Sequence, residues 1–338
     1  MIQINRLAIV KLSAMGDIIH AMVALQFIKQ HYPHIVIDWI VEESFKGVLQ
    51  NHPHINAVYT LNLKSIKKNR RKIFEEIKKV RSYAKQEYDL VIDAQGLIKS
   101  AIVSKLLGKK VAGFSKHSTR EGFASFFYNT KIEIAYDKNV IERNAKVLSE
   151  PLGFEITTEQ LHNKEPFLYF EPSQKVDDLI EKESKTVLFV IGASWPSKMY
   201  SKEKFVKIIN TIKENCYVIW GSEEEKKIAL YIASQSCAKV APKLSLDELK
   251  ALISKADLLI GNDTGPTHMA WALNRPSITL FGNTPGYRNT YTTTINRVIE
   301  SHSVVNPFKL KKDDFSINEI DEEAVITMAK GLLSEDVL

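Results

Sequence analysis

A carboxylate directly after a glycine is the most informative chemical feature of this sequence. Asp17 follows Gly16 within Lys11–His20, after an apolar run that predicts a parallel strand and before the amphipathic run Met22–His31, which predicts a helix. Nucleotide-binding folds often begin in this way, with glycines that let backbone N–H groups approach a phosphate. A carboxylate in that place does not attract phosphate, so we interpret Asp17 as a general base. The alternative is that Asp17 only caps the helix.

A second stretch, Ile260–His268, joins the end of a predicted strand to the start of a predicted helix, Thr267–Leu273. Free N–H groups at such a helix start form an anion site, and the hydroxyls of Thr264 and Thr267 would reinforce it. The simpler interpretation is that Asp263 or Thr264 caps the helix. Two glycines and two threonines around one helix start favour a phosphate or sugar site.

Two further charged side chains follow predicted strands in the second half of the chain. Lys198, in the small-residue stretch Gly192–Tyr200, could neutralise a diphosphate leaving group, although most lysines are simply solvated. Glu223 lies where acidic side chains bind ribose hydroxyls in nucleotide sites. We interpret Glu224 and Glu225 as acids that only interact favourably with the dipole of the helix that they begin.

Positive charge is concentrated in the first half of the chain. Residues 1–160 carry 24 Lys and Arg against 16 Asp and Glu, whereas the remainder carries 22 against 24. This excess predicts an anionic partner: nucleic acid, an anionic membrane surface or a phosphorylated substrate. The densest part, Lys64–Lys72, is predicted to be an anion-binding loop. Ile73–Glu87 is predicted to be an amphipathic helix, and contact with solvent alone would explain the charges on its outer face. Nucleic acid is disfavoured because no aromatic interleaving or groove-reading motif accompanies the charge.

Short apolar runs, which predict strands, alternate along the chain with segments of helical periodicity. This alternation predicts an α/β fold with parallel sheets that position these residues. A polar segment, Gly153–Asn163, suits a linker, and we expect domains at 1–160 and 161–315 and a terminal helix within 316–338. Two such domains could face each other across a cleft. The predicted strands are Leu7–Leu12, Val36–Val41, Leu90–Asp93, Lys110–Gly113, Thr186–Ile191, Cys216–Trp220, Leu258–Ile260 and Ser277–Phe281. Besides those given above, the predicted helices are Ser100–Leu107, Lys202–Glu214, one after the capping box Ser245–Glu248, and Ile317–Leu333.

Several functional classes lack their signatures here. Neither a Gly-x-Gly-x-x-Gly nor a Walker lysine loop occurs, which argues against a dinucleotide dehydrogenase and an NTPase. The two cysteines, Cys216 and Cys237, fit no metal spacing, and no Asp-x-Asp or His/Cys cluster occurs, so we expect no metal. With neither a membrane-length apolar stretch nor a secretory leader, a cytoplasmic protein is expected.

Three motifs, Met15–His20, Asp93–Ser100 and Asn262–His268, together resemble the lipopolysaccharide heptosyltransferases of glycosyltransferase family 9, and the resemblance extends over essentially the whole chain. The middle motif and the position of His20 resemble the type I branch more than type II. The resemblance implies a GT-B fold: two facing Rossmann-like domains with parallel sheets and a terminal helix that crosses back to the first domain. It implies inverting, metal-independent and cofactor-free transfer of L-glycero-D-manno-heptose from ADP-L-glycero-β-D-manno-heptose to the inner Kdo of Kdo2-lipid A. The enzyme would act in inner-core biosynthesis, peripherally on the cytoplasmic face of the inner membrane, with that anionic surface as a partner.

The resemblance also implies residue roles by position. Asp17 corresponds to the general base of the family. The implied donor-binding residues are Ser194, Lys198, Glu223 (with Glu224 as an alternative), Leu244, Asp263, Thr264, Gly265, Thr267 and His268. The implied acceptor-binding residues are Lys64, Lys67, Lys68, Gln95, Arg120 and Arg143. Two other functions stay open: another sugar-nucleotide transferase, such as a type II heptosyltransferase or one with a different donor, and a non-catalytic nucleotide-binding module.

Overall fold

The computed structural model describes residues 4–181 and 183–334, and the backbone alone of Lys67. The chain divides into two compact units, Met1–Phe167 and Leu168–Leu338. The predicted linker, Gly153–Asn163, contains a short helix and lies within the first unit. Among the described helices, none has the length and apolar character needed to cross a membrane.

Each unit is built on one six-stranded sheet in which all the paired strands are parallel. The strands of the first sheet are β1 (Arg6–Val10), β2 (Val36–Glu42), β3 (Ala57–Leu61), β4 (Leu90–Asp93), β5 (Val111–Phe114) and β6 (Thr130–Ile132). Those of the second are β7 (Thr186–Val190), β8 (Asn215–Ile219), β9 (Lys239–Val240), β10 (Leu258–Asn262), β11 (Ser277–Phe281) and β12 (Asn296–Glu300). This architecture confirms the predicted α/β class.

Both sheets have the same strand order. The first runs β3-β2-β1-β4-β5-β6, and the second runs β12-β11-β10-β7-β8-β9, which is the same order counted from its own first strand. This is the Rossmann order, in which ligands bind beyond the carboxyl ends of the strands where the order reverses. Those points lie between β1 and β4 in the first unit and between β7 and β10 in the second.

Helices connect the strands in both units. The α-helices of the first unit are α1 (Met15–Met22), α2 (Ala24–His31), α3 (Lys46–Leu49), α4 (Leu63–Lys68), α5 (Lys72–Tyr83), α6 (Ile98–Leu107), α7 (Val140–Ser149) and α8 (Thr158–His162). Those of the second are α9 (Gln174–Asp177), α10 (Lys202–Ile212), α11 (Glu223–Gln235), α12 (Leu246–Lys255), α13 (Gly265–Ala272), α14 (Gly286–Asn289) and α15 (Glu322–Ser334). Short 3₁₀ helices occupy Glu43–Phe45, Ala84–Gln86, Lys116–Ser118, Gly122–Phe127, Glu150–Leu152, Pro196–Lys198 and Ser316–Glu319.

Strands that are buried on both faces make the centre of each core, which is why they appear in the sequence as unbroken apolar runs. All five residues of β7 and of β10 are buried. The final helix, α15, adds Val325 and Ala329 to the core of the second unit, where it packs against α10. The apolar face of this helix thus belongs to the core of the second unit, and its predicted crossing to the first unit stays a prediction.

Two elements near the predicted site differ from expectation. The first helix begins at Met15 instead of Met22, so Asp17 lies inside its first turn, where the carboxylate stabilises the helix start. The basic stretch predicted as a loop is helical over Leu63–Lys68, because the side chain of Asn62 accepts a hydrogen bond from the N–H of Ser65 and caps this helix.

Candidate functional site

The candidate donor site lies where the strand order of the second sheet reverses. β7 and β10 are neighbours there, and Gly261 allows their close approach, since a Cβ at this position would lie 2.6 Å from the Cβ of Val190. Asn262, the last residue of β10, bonds to both ends of the loop that follows β7: its Nδ2 donates to the carbonyl of Ile191 (2.8 Å), and its Oδ1 accepts from the N–H of Tyr200 (3.0 Å). One buried amide therefore fixes this loop to the end of β10.

A buried cluster around Asp263 occupies this position. Lys198 Nζ donates to Asp263 Oδ2 at 2.5 Å, and the Thr284 hydroxyl donates to the same oxygen at 2.8 Å. His268 Nε2 lies 3.1 Å from the other oxygen, Oδ1. Because an ionised carboxylate only accepts hydrogen bonds, Nε2 of His268 carries the proton in this contact. The structure thus brings three of the predicted donor residues, Lys198, Asp263 and His268, into direct contact.

The environment keeps Asp263 ionised. Burial alone would raise the pKa of its carboxyl, but the charge of Lys198 and the hydrogen bond from His268 outweigh burial and hold that pKa well below its usual range. Charged groups away from water interact strongly. The fixed carboxylate therefore holds the Lys198 ammonium in place beside the start of α13.

The helix start contributes in a different way than expected. Thr264 is the N-cap residue of α13, and its side chain makes no capping hydrogen bond. The hydroxyl of Thr267 donates to the carbonyl of Asn262 at 2.7 Å, so it supports the loop. Gly265, the first residue of the helix, is buried. Pro266 has no N–H, and the N–H of Thr267 donates to the carbonyl of Thr264 at 3.1 Å. Anion binding at this end of α13 therefore depends on the N–H of Gly265 and on the helix dipole.

A second lysine approaches the same loop. The ammonium groups of Lys198 and Lys312 lie 5.0 and 5.3 Å from the ring centroid of Trp195. Asn283 holds this arrangement together: its Nδ2 donates to Ser197 Oγ (2.7 Å), and Ser197 Oγ donates to the carbonyl of Lys312 (2.6 Å). Sequence reasoning missed Asn283, Thr284 and Lys312. The first two could have been found, since they follow β11 just as Asp263 follows β10.

The remaining predicted donor residues follow other strands. Glu223 and Glu224 are exposed at the start of α11, beyond β8, while Leu244 is half-buried beyond β9 and Ser194 is exposed beyond β7. Glu225 has a structural role: its Oε2 accepts from the N–H of Gly221 at 2.6 Å. The structure leaves both predicted ribose-binding candidates, Glu223 and Glu224, facing solvent.

In the first unit, Asp17 and Gln95 lie at the equivalent strand ends. Asp17 is the third residue of α1, and its Oδ2 accepts from the N–H of Ala14 at 3.1 Å. Gln95 follows β4, and its Oε1 accepts from the N–H groups of Leu12 and Ser13, both at 3.0 Å. Gln95 thereby fixes the loop that leads from β1 to Asp17.

Asp93, the last residue of β4, holds Gln95 in place through a hydrogen bond to its backbone N–H. Its buried Oδ1 accepts from the N–H of Gln95 at 2.9 Å, and its Oδ2 accepts from the hydroxyls of Ser100 (2.9 Å) and Tyr128 (2.7 Å). Burial raises the pKa of Asp93, and these hydrogen bonds oppose that effect. The middle motif of the sequence is thus the support of the Asp17 loop.

The predicted acceptor cations are in different environments. Lys64, Lys68 and Arg120 are exposed, and the Lys64 ammonium lies 5.1 Å from the ring centroid of Phe45. The side chain of Lys67 lies outside the described residues. Arg143 is buried, and its guanidinium donates to backbone carbonyls, including those of Ala135 and Ser118 (2.6 Å each). Arg143 therefore ties two loops of the first unit together.

Within the described ranges, no group of three or more His, Cys, Asp or Glu side chains could hold a metal ion. The strongest concentration of ligand-binding chemistry is the paired lysine, carboxylate and helix start of the second unit. Two Rossmann-like units that carry such an anion-binding strand edge have the architecture of GT-B glycosyltransferases.

Comparisons with known proteins agree with this class. Residues 77–312 match the profile of glycosyltransferase family 9 (heptosyltransferase). The chain is 40% identical to lipopolysaccharide heptosyltransferase 1 of Campylobacter coli, over 98% of this chain and 100% of the relative. It is 30% identical to the protein of the same name from Escherichia coli K12, over 83% of this chain and 89% of the relative. Among solved structures, E. coli heptosyltransferase WaaC with ADP-2-deoxy-2-fluoro heptose is similar, with a TM-score of 0.77 at 24% identity over 96% of this chain and 99% of the other.

The chain belongs to glycosyltransferase family 9, the heptosyltransferases. It is therefore an enzyme that transfers a glycosyl group, and the resemblance drawn from its three motifs is confirmed.

Proposed function

We propose that the protein transfers L-glycero-D-manno-heptose from ADP-L-glycero-β-D-manno-heptose to the inner Kdo of Kdo2-lipid A. The observation that carries this proposal is the buried Lys198–Asp263–His268 cluster beside the start of α13. Such a site suits a diphosphate, and the relatives at 40% and 30% identity are named lipopolysaccharide heptosyltransferase 1.

The second unit would bind the donor and stabilise its leaving group. As the bond between the anomeric carbon and the phosphate oxygen breaks, negative charge grows on the ADP. Lys198, the N–H of Gly265 and the dipole of α13 would oppose that charge from fixed positions. Lys312, which approaches the same indole ring, would add a second cation. Glu223 or Glu224 would bind the ribose, with Ser194 and Leu244 completing the donor contacts.

The first unit would supply the base. A carboxylate accepts about four hydrogen bonds, so the single bond from Ala14 leaves Asp17 able to accept the proton of the acceptor hydroxyl. The deprotonated oxygen attacks the anomeric carbon, the new C–O bond forms as the bond to ADP breaks, and the configuration inverts. We propose that these residues perform the transfer without a metal or cofactor, so that EDTA leaves the rate unchanged.

The acceptor and the membrane account for the positive charge of the first unit. Lys64, Lys67, Lys68 and Arg120 would bind the anionic groups of Kdo2-lipid A. We propose that the protein works peripherally on the cytoplasmic face of the inner membrane. Each cation near an anionic surface contributes about 1 kcal/mol to such binding.

The test is an ADP-release assay with ADP-heptose, with and without Kdo2-lipid A. We expect release only with both substrates, and much less with UDP- or GDP-sugars. Lys198→Ala should weaken ADP-heptose binding about 10- to 100-fold, because it removes a charge-assisted hydrogen bond. Lys227→Ala, on an exposed lysine of α11, is the matched control and should bind normally.

Different results would lead to different conclusions. Turnover with another sugar nucleotide would replace the donor and keep the reaction class. Tight ADP binding without turnover would favour a non-catalytic nucleotide-binding module, in which Asp17 serves only its bond to Ala14.

A further inference from the structure

Large apolar side chains are exposed on three neighbouring elements of the first unit. Phe74 of α5 is 74% exposed, and Phe123 and Phe126 of the 3₁₀ helix Gly122–Phe127 are 72% and 70% exposed. Monomeric proteins seldom expose such residues together unless the surface binds something. We call the set of six exposed residues on these elements the apolar face: Ile73, Phe74, Ile98, Ile102, Phe123 and Phe126.

The apolar face spans adjacent elements. Helix α6, which carries Ile98 and Ile102 one turn apart, packs against both α5 and the 3₁₀ helix Gly122–Phe127. The N–H of Ile98 donates to Glu121 Oε2 at 2.8 Å, which ties the start of α6 to the segment that carries Phe123. The rings of Phe123 and Phe126 lie 5.9 Å apart.

An open pocket of about 820 Å³ adjoins this face. Its apolar lining includes Leu63, Ile66 and Phe74. Arg70 and Lys99 also line the pocket, so cations stand directly beside the apolar surface. A ligand that fits must therefore combine apolar chains with negative charge.

Charge around the apolar face is almost entirely positive. Segments 68–83, 98–107 and 116–127, which contain the three elements, carry eleven Lys and Arg against three Glu. Two of those glutamates are already bonded: Glu76 accepts from the N–H of Asn62 and from Lys79, and Glu121 accepts from Ile98. An anionic bilayer matches this combination, because cations meet the headgroups while aromatic side chains enter the boundary below them.

We propose that the apolar face is a docking surface for an anionic lipid bilayer, with Phe74, Phe123 and Phe126 inserted among the lipids. The proposal rests on the proposed function, in that it assigns the membrane contact to particular residues. A second copy of the chain fits poorly, since a symmetric contact would place two cation-rich surfaces together.

The face also has a definite position in the first unit. α5 and α6 begin beyond the carboxyl ends of the strands that precede them, β3 and β4. The loop from β1 to Asp17 begins at the same edge of the sheet, because all of these strands are parallel. The end of the apolar face formed by Ile73, Phe74 and Ile98 therefore lies at the edge of the sheet that carries the proposed base.

The experiment is flotation of the full-length protein with vesicles of phosphatidylcholine alone or mixed with phosphatidylglycerol. We expect binding to the mixed vesicles only. The double variant Phe74→Glu/Phe123→Glu should bind at least tenfold more weakly, and Arg71→Gln about fivefold more weakly on anionic vesicles. Leu230→Glu, which replaces an exposed leucine of α11 in the second unit, is the matched control and should bind normally.

ADP release with a water-soluble, deacylated Kdo acceptor separates this proposal from the proposed function. We expect the double variant to keep the wild-type rate there and an unchanged melting temperature. No flotation of the wild type, or equal flotation of the double variant and the wild type, would overturn the docking surface even if ADP release is normal. A dimer of the wild type that the double variant abolishes, with vesicle binding unchanged, would assign the face to a second copy. Failure of ADP release in the wild type would instead count against the proposed function.

Discussion

The Lys198–Asp263 pair gives the sharpest prediction for stability. The two side chains are only 9% and 7% exposed, and their charged atoms lie 2.5 Å apart. Asp263→Asn keeps the shape of the side chain and removes its charge, which leaves a buried ammonium without its counter-charge. Breaking a buried pair in this way costs about 3–5 kcal/mol. For a unit of about 170 residues, the melting temperature should fall by about 6–20 °C.

Calorimetry of the wild type, Asp263→Asn and the double variant Lys198→Met/Asp263→Asn tests this reasoning. The double variant buries neither charge, so it should lose less stability than Asp263→Asn alone. A loss below about 1 kcal/mol for Asp263→Asn would show that the pair is not effectively buried. Additive losses in the double variant would show that the two charges do not interact, and either result would refute the argument.

The same pair predicts a dependence on pH. The folded protein holds the pKa of Asp263 below its ordinary value, so protonation of this group favours the unfolded chain. Its contribution to stability is present above the ordinary carboxyl pKa and is lost as the pH falls below about 4. The stability difference between the wild type and Asp263→Asn should therefore shrink between pH 6 and pH 3. A constant difference over that range would contradict the assignment.

Three further variants test the other contacts. In the variant Asp17→Asn, the side chain can still accept the hydrogen bond from Ala14, so the free energy of unfolding should change by less than about 1 kcal/mol. ADP release should fall by about 10²- to 10⁴-fold, and near-normal release would exclude Asp17 as the base. Gln95→Ala leaves two backbone N–H groups without their acceptor, so the free energy of unfolding in urea should fall by about 1–3 kcal/mol and kcat should fall with it. If both values stayed unchanged, Gln95 would not position the Asp17 loop. A lysine charge beside Trp195 that contributes about 1 kcal/mol to ADP binding predicts a roughly fivefold higher Kd for ADP in Lys312→Ala, measured by calorimetric titration. An unchanged Kd would show that Lys312 is not part of the donor site.

The sequence was most informative where elements are long, apolar and regularly spaced. β4 and β11 have the predicted bounds, and the capping box at Ser245 begins α12 as expected. The four edge strands, β3, β6, β9 and β12, were missed. β3 and β12 are mostly half-buried or exposed, and β6 and β9 have only three and two residues. Half-buried and very short strands lack the apolar run that marks a central one.

The candidate site shows the same limit. The contact of Lys198 with Asp263 could be anticipated, because both follow neighbouring strands of one parallel sheet. The place of Thr284 after β11 could also have been anticipated, but its bond to Asp263 depends on how the loop after β11 folds back. The burial of Arg143 among backbone carbonyls is likewise a property of tertiary packing, which no local pattern reveals.

Asn283 holds more partners than its hydrogens can serve. Its amide nitrogen carries two hydrogens, yet Ser197 Oγ and the carbonyls of Lys311 and Asp314 all lie within 3.1 Å of it. At any moment, one of these three acceptors shares an amide hydrogen of Asn283 with another acceptor. Asn283 can therefore exchange one acceptor for another without losing a hydrogen bond. Segment 311–314 should therefore open at a lower free energy than β11, from which Asn283 extends, and its amide hydrogens should exchange with solvent sooner. The loop that carries Lys312 is thus expected to open before the strand to which Asn283 holds it.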